Sequence, residues 1–308
     1  MSTKYIYVSE PDALDMTVIS TVLAGSEWVA IAGDSNFTNS QQHPYQALLI
    51  RSQTTVGASI REYFPELGHI VRAGVGLDNI DVPFCRAHDI KIYNAPGANA
   101  EAVSDYALAM ILFALRKLHT KEPEDITAWN RFKFVGHNLG SRTVGIVGFG
   151  NIGRLVHKRL QGFGCQEILI YDPYLPEDVT FDKPTRRVVL EELLRQSSVI
   201  SLHLPLTETT KYLIGRQNIG LLPAGAIVIN ASRGGIVEEA AVLDALPAQD
   251  LVYVADTIEG EPHVNKALLA HENIIITPHI ASLTEESEQA VVRVALQNLI
   301  DTKTAVIL

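Results

Sequence analysis

The chain has 308 residues, of which 47% are hydrophobic and 19% charged, a balance typical of two packed domains. The formal net charge is −10 without any run of Lys or Arg, so we expect neither a nucleic acid nor a membrane as partner. The absence of a membrane-length apolar run and of an export signal, with only Cys85 and Cys165 as cysteines, predicts a cytoplasmic protein without disulfides.

Short apolar segments alternate with helical patterns along the chain, which predicts parallel strands joined by crossover helices. Because the strands form two series, we predict an α/β protein with two doubly wound parallel-sheet domains. The first series comprises 5–8, 28–33, 47–50, 69–71 and 90–93. The second series comprises 143–148, 167–172, 199–204, 226–230, 251–256 and 273–277.

Two helical segments accompany these strands. Residues 100–118 are apolar on almost every face, which predicts a buried helix at a contact between domains or subunits. Residues 284–300 form an amphipathic pattern, and Ser282 with Glu285 has the spacing of a capping box at its start. Just before this helix, the run of three isoleucines at 274–276 predicts a buried strand.

A glycine motif, VGIVGFGNIG, ends the first strand of the second series. Gly148, Gly150 and Gly153 permit a tight turn and a close approach of backbone N–H groups to a pyrophosphate at a helix start. The next strand ends at Asp172, nineteen residues after Gly153, where a carboxylate can accept hydrogen bonds from ribose hydroxyls. Asp172 would repel a 2′-phosphate and the following Pro-Tyr supplies no cation, so we predict NAD rather than NADP.

Polar residues follow three later strands of the second series: Arg233, then Asp256 and Glu261, then His279. The carboxyl ends of parallel strands are where open α/β sheets bind ligands. Together these residues could supply a cation for a carboxylate, an acid beside an imidazole, and a general acid–base. Taken singly, each also fits a turn or a surface position, and sequence spacing does not show that the side chains meet.

The chain resembles the D-isomer-specific 2-hydroxyacid dehydrogenase family over nearly its whole length. The resemblance rests on VRAGVGLDNIDV, GIVGFGNIGR, LHLPLTETT, INASRGGIVEE, DTIEGEP and ITPHIAS, in this order. It implies an NAD-dependent enzyme that interconverts a D-2-hydroxy acid and its 2-oxo acid by hydride transfer. It also implies a Rossmann NAD-binding domain, residues 96–283, inserted into a flavodoxin-like substrate domain, residues 1–95 plus 284–308.

The same resemblance implies roles for individual residues and no metal. Arg233, Glu261 and His279 match the family's catalytic positions, with His279 as the acid–base. The backbone of Val75 and Gly76 matches the loop that holds the substrate carboxylate, and Asn99 lies on the neighbouring hinge. The matching cofactor positions are Gly148, Gly150, Asn151, Ile152, Gly153, Asp172, His203, Pro205, Ala231, Ser232, Arg233, Asp256, His279, Ala281 and Ser282.

The substrate is predicted from IRSQTTV and VRAGVGLDNID, which resemble members of the family that act on 3-phosphoglycerate. Arg51 and Arg72 each follow an apolar strand and could clamp a phosphate. By resemblance, Arg131 in WNRFKFVG would add a cation from the partner subunit of a homodimer. We therefore expect interconversion of 3-phosphoglycerate and 3-phosphohydroxypyruvate, in serine biosynthesis, without a C-terminal serine-sensing domain.

Two alternatives remain open. The first is the same chemistry on glyoxylate, hydroxypyruvate or another unphosphorylated 2-oxo acid, because arginines at strand ends also form surface ion pairs. The second is an NAD(H)-sensing binding protein like the transcriptional corepressors built on this fold, since fold does not fix function. The complete set of catalytic residues favours an enzyme.

Overall fold

A computed structural model describes residues 3–119, 129 and 131–301. The chain divides into two compact units, Met1–Asn99 with Leu283–Leu308, and Ala100–Ser282. We call them the outer unit and the central unit, after their order in the sequence. Within the described ranges, no helix is long and apolar enough to cross a membrane. Residues 302–308 of the predicted substrate domain lie outside the described residues.

The secondary structure alternates between strands and helices along both units. The described strands are Lys4–Val8 (β1), Trp28–Ala32 (β2), Tyr45–Ile50 (β3), His69–Arg72 (β4), Lys91–Tyr93 (β5), Thr143–Val147 (β6), Glu167–Tyr171 (β7), Thr185–Arg187 (β8), Val199–Leu202 (β9), Ile227–Asn230 (β10), Val252–Ala255 (β11) and Ile274–Ile276 (β12). The described α-helices are Met16–Leu23 (α1), Ile60–Tyr63 (α2), Val82–Ala87 (α3), Ala100–Leu115 (α4), Asn151–Gln161 (α5), Leu190–Gln196 (α6), Glu239–Gln249 (α7), Lys266–Leu269 (α8) and Glu285–Asp301 (α9).

Each unit contains one parallel sheet with an apolar core on both faces, as buried parallel strands require. The outer unit has the order β2-β1-β3-β4-β5, which is the flavodoxin-like order. The central unit has the order β12-β11-β10-β9-β6-β7-β8, in which β6 to β11 follow the Rossmann order. The predicted α/β class with two doubly wound parallel sheets is therefore confirmed.

Two predictions about chain segments before the last helix are wrong. The strand at 274–276 forms as predicted, but it is half-buried rather than buried, because β12 lies beside β11 at the edge of the sheet that the structure describes. The predicted capping box of Ser282 and Glu285 does not form. Instead, Thr284 precedes the helix, and its Oγ1 accepts a hydrogen bond from the N–H of Ser287 at 3.1 Å.

The predicted helix at 100–118 is shorter and more exposed than expected. It ends at Leu115, and Lys117 then adopts a left-handed backbone with φ of 53°, which terminates a helix. One side packs against α5 and β10 of the same unit, while Glu101 and Asp105 are exposed. The apolar composition therefore overstated its burial. The short strand β8 was not predicted at all, because its sequence, Thr-Arg-Arg, is not apolar.

Candidate active site

The carboxyl ends of the strands in the central unit meet at one edge of its sheet. Neighbours β6 and β9 are separated in sequence by β7 and β8, so the strand order reverses between them. Such a switch point opens a crevice at the carboxyl edge. The segments that follow the strands bring the glycine motif, Arg233, Asp256 and His279 to this edge.

The glycine loop after β6 leaves space for a ligand at the start of α5. Gly148 has φ of 90°, and a Cβ there would lie 2.3 Å from the carbonyl oxygen of His203. A Cβ on Gly153 would lie 2.1 Å from the carbonyl oxygen of Gly148. By contrast, a Cβ on Gly150 would have no heavy atom within 4 Å outside its chain neighbours. These features fit a pyrophosphate that approaches the backbone N–H groups of Gly150 and Asn151.

The carboxylate of Asp172 is anchored beside this loop. Its Oδ2 accepts a hydrogen bond from the N–H of Phe149 at 2.8 Å, and its Oδ1 accepts one from Tyr174 at 2.9 Å. From the neighbouring strand, Arg187 donates to the carbonyl oxygens of Asp172 at 3.2 Å and Pro176 at 3.4 Å. The sequence pattern did not indicate this nearby cation, because β8 was not predicted.

His203 lies buried under the glycine loop, on the strand end next to β6. The backbone N–H of His203 donates to the carbonyl oxygen of Val147 at 2.7 Å, and the ring Nε2 lies 2.8 Å from the Oγ of Ser201. Burial lowers the pKa of His203 to about 3, so the ring is neutral at pH 7. Pro205, two residues further along, is exposed. His203 therefore shapes the loop through its backbone and carries no charge.

Asn230 fixes the loop that carries Arg233. Its Oδ1 accepts a hydrogen bond from the N–H of Ser232 at 3.1 Å, and its Nδ2 donates to the carbonyl oxygen of Arg233 at 2.8 Å. Arg233 in turn donates from Nη1 to the carbonyl oxygen of Ser232 at 2.7 Å. The sequence analysis missed Asn230, although a polar residue inside the apolar pattern of AIVIN was a visible signal.

The buried carboxylate of Asp256 builds the loop that carries His279. Its Oδ1 accepts hydrogen bonds from the Thr277 hydroxyl at 2.6 Å and from the N–H of Ile280 at 2.8 Å. Its Oδ2 accepts one from the N–H of Ala281 at 2.9 Å. The carbonyl oxygen of Asp256 also accepts the N–H of His279 at 2.9 Å. Both carboxylate oxygens thus hold the backbone around the imidazole.

A small apolar cluster joins several predicted cofactor positions at this edge. It contains Ala231 and Ala281 with Val103, and Tyr106 and Ile152 pack against it. The Tyr106 hydroxyl lies 2.6 Å from the Oγ1 of Thr277. Burial raises the pKa of Tyr106 to about 12, so this hydroxyl stays protonated at neutral pH. Helix α4 therefore supports the loop before His279 through both apolar packing and a hydrogen bond.

His279 and Glu261 form a direct pair. The Nδ1 of His279 lies 2.8 Å from the Oε2 of Glu261, whose Oε1 accepts the N–H of Ile258 at 3.0 Å. Burial favours a higher pKa for Glu261. The hydrogen bond from His279, the charges of His279 and Arg233, and the Ile258 N–H outweigh it, so the pKa lies below its ordinary value. The side chains are 49% and 35% exposed, so the imidazole is both held and accessible.

The loops that carry Arg233 and Glu261 touch backbone to backbone. A Cβ on Gly234 would lie 2.0 Å from the carbonyl oxygen of Ile258 and 2.8 Å from the nitrogen of Glu259. Glu239, at the start of α7, completes this contact, since its Oε1 accepts the N–H of Glu259 at 2.9 Å. The structure therefore brings Arg233, Glu261 and His279 into one site within the central unit.

The outer unit places other predicted substrate residues at the carboxyl edge of its own sheet. The carbonyl oxygen of Val75 accepts a hydrogen bond from Asn94 at 2.7 Å, and that of Gly74 accepts the N–H of Ala95 at 2.9 Å. A Cβ on Gly74 would lie 1.4 Å from the Nη1 of Arg72, so this guanidinium covers the loop that precedes Gly76. Asn99, at which the first stretch of the outer unit ends, is half-buried.

Arg51 is engaged by an acid of the same unit. Its Nη2 lies 2.5 Å from the Oε1 of Glu288 on α9, and its side chain is 14% exposed. The carboxylate of Glu10 accepts the backbone N–H groups of residues 51–54 at 2.9–3.3 Å. Burial favours a higher pKa for Glu10, but the N–H donors, led by that of Thr54, hold it below its ordinary value. The Nη2 of Arg51 and the backbone N–H groups of residues 51–54 thus already contact carboxylates.

Arg131 lies in the short 3-10 helix Arg131–Phe134 of the central unit. It is exposed, and its guanidinium lies 5.3 Å from the ring centroid of Phe132. Asn130, in the same predicted segment, lies outside the described residues. Among the residues that the structure describes, no group of three His, Cys, Asp or Glu side chains could hold a metal ion.

Comparison with known proteins gives matches over most of the chain. A family model described as D-isomer specific 2-hydroxyacid dehydrogenase, NAD binding domain, matches residues 108–281.

Hydroxypyruvate reductase from Thermotoga maritima is 39% identical, over 79% of this chain and 80% of that protein. (S)-Sulfolactate dehydrogenase from Chromohalobacter salexigens is 36% identical, over 82% and 83%. D-3-Phosphoglycerate dehydrogenase from Archaeoglobus fulgidus is 36% identical over 83% of this chain, but the match spans only 49% of that protein. The structure of D-2-hydroxyisocaproate dehydrogenase superimposes with a TM-score of 0.82 at 27% identity, over 98% and 97% of the two chains.

Proposed function

The chain belongs to the D-isomer-specific 2-hydroxyacid dehydrogenase family, and from this premise we propose which residues perform the reaction and on which substrate. The predicted family, enzyme class and cofactor NAD are those of its relatives. When bound, NAD supplies the hydride acceptor, and NADH the hydride donor. In our proposal, the N–H groups at the start of α5 hold the pyrophosphate, and Asp172 accepts hydrogen bonds from the ribose hydroxyls.

The protein's own residues would handle the proton and the substrate carboxylate. His279 accepts the proton of the C2 hydroxyl during oxidation and returns it to the C2 oxygen during reduction. Glu261 orients the imidazole and stabilises its protonated form, and Arg233 binds the carboxylate. The observation that carries this proposal is the 2.8 Å contact between the Nδ1 of His279 and the Oε2 of Glu261, on a ring that is half exposed.

The Glu261→Gln variant tests the pairing through the pH profile. Reduction needs the protonated imidazole, which the carboxylate stabilises, so the alkaline limb of kcat/KM should move to lower pH in the variant. The profile should be measured by NADH oxidation with hydroxypyruvate. Glu272→Gln is the control, because this exposed acid precedes β12 at the opposite edge of the sheet. An alkaline limb that stays in place would rule out the proposed role of Glu261.

Cofactor choice gives a second test, at Asp172. The Asp172→Asn variant has nearly the same shape and keeps one oxygen acceptor for the backbone N–H groups of Phe149 and Tyr174, but it removes the charge that repels a 2′-phosphate. We expect the ratio of kcat/KM for NADH over NADPH to fall by about tenfold or more, which corresponds to roughly 1.4 kcal/mol. Part of the increase in kcat/KM for NADPH should come from Arg187, which would attract the 2′-phosphate. The double variant Asp172→Asn/Arg187→Gln should therefore show a smaller increase. An unchanged ratio in Asp172→Asn would contradict the assignment.

For the substrate, we propose an unphosphorylated 2-oxo acid of the hydroxypyruvate type. The pairing of Arg51 with Glu288 supports this choice, because a guanidinium beside a carboxylate is a weaker site for a phosphate. The relative that acts as a hydroxypyruvate reductase, matched over 80% of its length, supports it as well. The 3-phosphoglycerate prediction is the second candidate, supported by Arg72 at the loop before Val75.

A further inference from the structure

We infer that Glu288 is the residue that selects against a phosphorylated substrate, by neutralising Arg51 at the ligand edge of the outer unit. This inference rests on the proposed function, since it concerns which 2-oxo acid the enzyme reduces. It assigns a role to an acid that the sequence analysis did not single out. It also reverses the prediction that Arg51 contributes to a phosphate clamp.

The position of the pair supports this role. Arg51 directly follows β3, so it stands at the carboxyl edge of its sheet, where parallel α/β sheets bind ligands. Glu288 lies in the first turn of α9, and its Oε1 is 2.5 Å from the Nη2 of Arg51. The two side chains are 14% and 34% exposed, and a partly buried pair of this kind is screened less than a surface pair.

The backbone N–H groups beside Arg51 are also paired with a carboxylate. Four consecutive N–H groups, from residues 51–54, form a concave set of donors of the type that binds anions. The carboxylate of Glu10, which is only 6% exposed, already occupies it. A phosphate that approached this loop would therefore meet the carboxylates of Glu10 and Glu288 together with Arg51, whose charge Glu288 balances.

A substrate without a phosphate has no such conflict. The terminal hydroxyl of hydroxypyruvate is neutral, so it brings no charge toward Glu288. A phosphate dianion brings two charges, each of which a carboxylate nearby opposes. Glu288 therefore penalises the phosphorylated acid far more than the hydroxylated one, and the difference is a matter of charge rather than of size.

The Glu288→Gln variant tests the inference, because the amide keeps an oxygen acceptor for Arg51 but carries no charge. Wild-type enzyme should prefer hydroxypyruvate over 3-phosphohydroxypyruvate in kcat/KM. In Glu288→Gln this preference should shift toward the phosphorylated acid by about tenfold or more. The matched control is Glu286→Gln, which removes the same charge from an exposed position in the same helical turn and should leave the ratio unchanged.

Two further measurements keep the outcomes separate. Calorimetric titration with 3-phosphoglycerate should give tighter binding to Glu288→Gln than to wild type, without any need for turnover. The double variant Arg51→Gln/Glu288→Gln should lose this gain in affinity for 3-phosphoglycerate. A wild type that already prefers the phosphorylated acid, or an unmoved ratio and unchanged binding in Glu288→Gln, would overturn the inference. Failure of the wild type to reduce either acid would instead overturn the proposed substrate class.

Discussion

Replacing His279 by Asn is expected to lower kcat by roughly 10²–10⁴, the usual contribution of a positioned general acid–base. The imidazole is the group hydrogen-bonded to Glu261 at 2.8 Å, and an amide at this position cannot exchange a proton with the C2 oxygen. Asn is a better choice than Ala, because His279 has a left-handed backbone with φ of 55°. Asn tolerates that conformation, whose cost for most residues is about 1–2 kcal/mol.

The measurement compares steady-state kcat with NADH affinity from fluorescence titration. NADH should bind almost as tightly to the variant, because the glycine loop after β6 and Asp172 are unchanged. His263→Asn is the matched control, since it makes the same chemical change at an exposed position two residues after Glu261. Retention of more than about a tenth of the wild-type kcat would leave less than roughly 1.4 kcal/mol of barrier lowering for His279, and the proton-transfer role would be wrong.

The sequence could predict the edge of the sheet where the site lies, because that edge follows from local patterns. Apolar runs mark parallel strands, and the polar residue after each run must lie at the same edge as the others. His279 and Asp172 were both found in this way. Asn230 was equally visible as a polar residue within a strand, but its role depends on two partners in the following turn.

Contacts between distant segments were beyond sequence reasoning. Asp256 illustrates this, since it stands at the expected edge, yet its oxygens bind the backbone of Ile280 and Ala281, 24 and 25 residues away. Arg51 and Glu288 are 237 residues apart, so no spacing could indicate that one neutralises the other. Charge at a strand end is predictable from the sequence, whereas the residual charge after pairing requires the fold.

Replacing Gly234 by Ala is expected to lower kcat/KM by about 100-fold and to destabilise the protein by roughly 1–3 kcal/mol. The added Cβ would lie 2.0 Å from the carbonyl oxygen of Ile258 and 2.8 Å from the nitrogen of Glu259. Both are backbone atoms, so the clash cannot be relieved by a side-chain rotation. Hydrogen bonds to Glu261 at 3.0 Å and to Glu239 at 2.9 Å hold the N–H groups of this segment, so any shift of its backbone also displaces Glu261.

Glu239 makes such a shift of the backbone costly, because it is only 5% exposed and forms two hydrogen bonds with Glu259. Its Oε1 accepts the N–H of Glu259, and its own N–H donates to the Oε1 of Glu259 at 3.1 Å. Burial, together with the charges of Glu259 and Glu261, raises the pKa of Glu239 to about 6 against the opposing effect of the Glu259 N–H. Displacing the segment would therefore disturb a buried carboxyl group as well as the pair of Glu261 and His279.

The control for Gly234→Ala is Gly220→Ala, which adds the same methyl group where no heavy atom outside the neighbouring backbone lies within 4 Å. Neither glycine has a positive φ, so both backbones accept Ala and the two variants differ in the space around the Cβ. Gly220→Ala should stay within about 0.5 kcal/mol of wild type and keep its kcat/KM. Thermal unfolding and NADH oxidation should be measured on both. If Gly234→Ala retained wild-type kcat/KM, the contact of Gly234 with the Ile258–Glu259 peptide would not position Glu261.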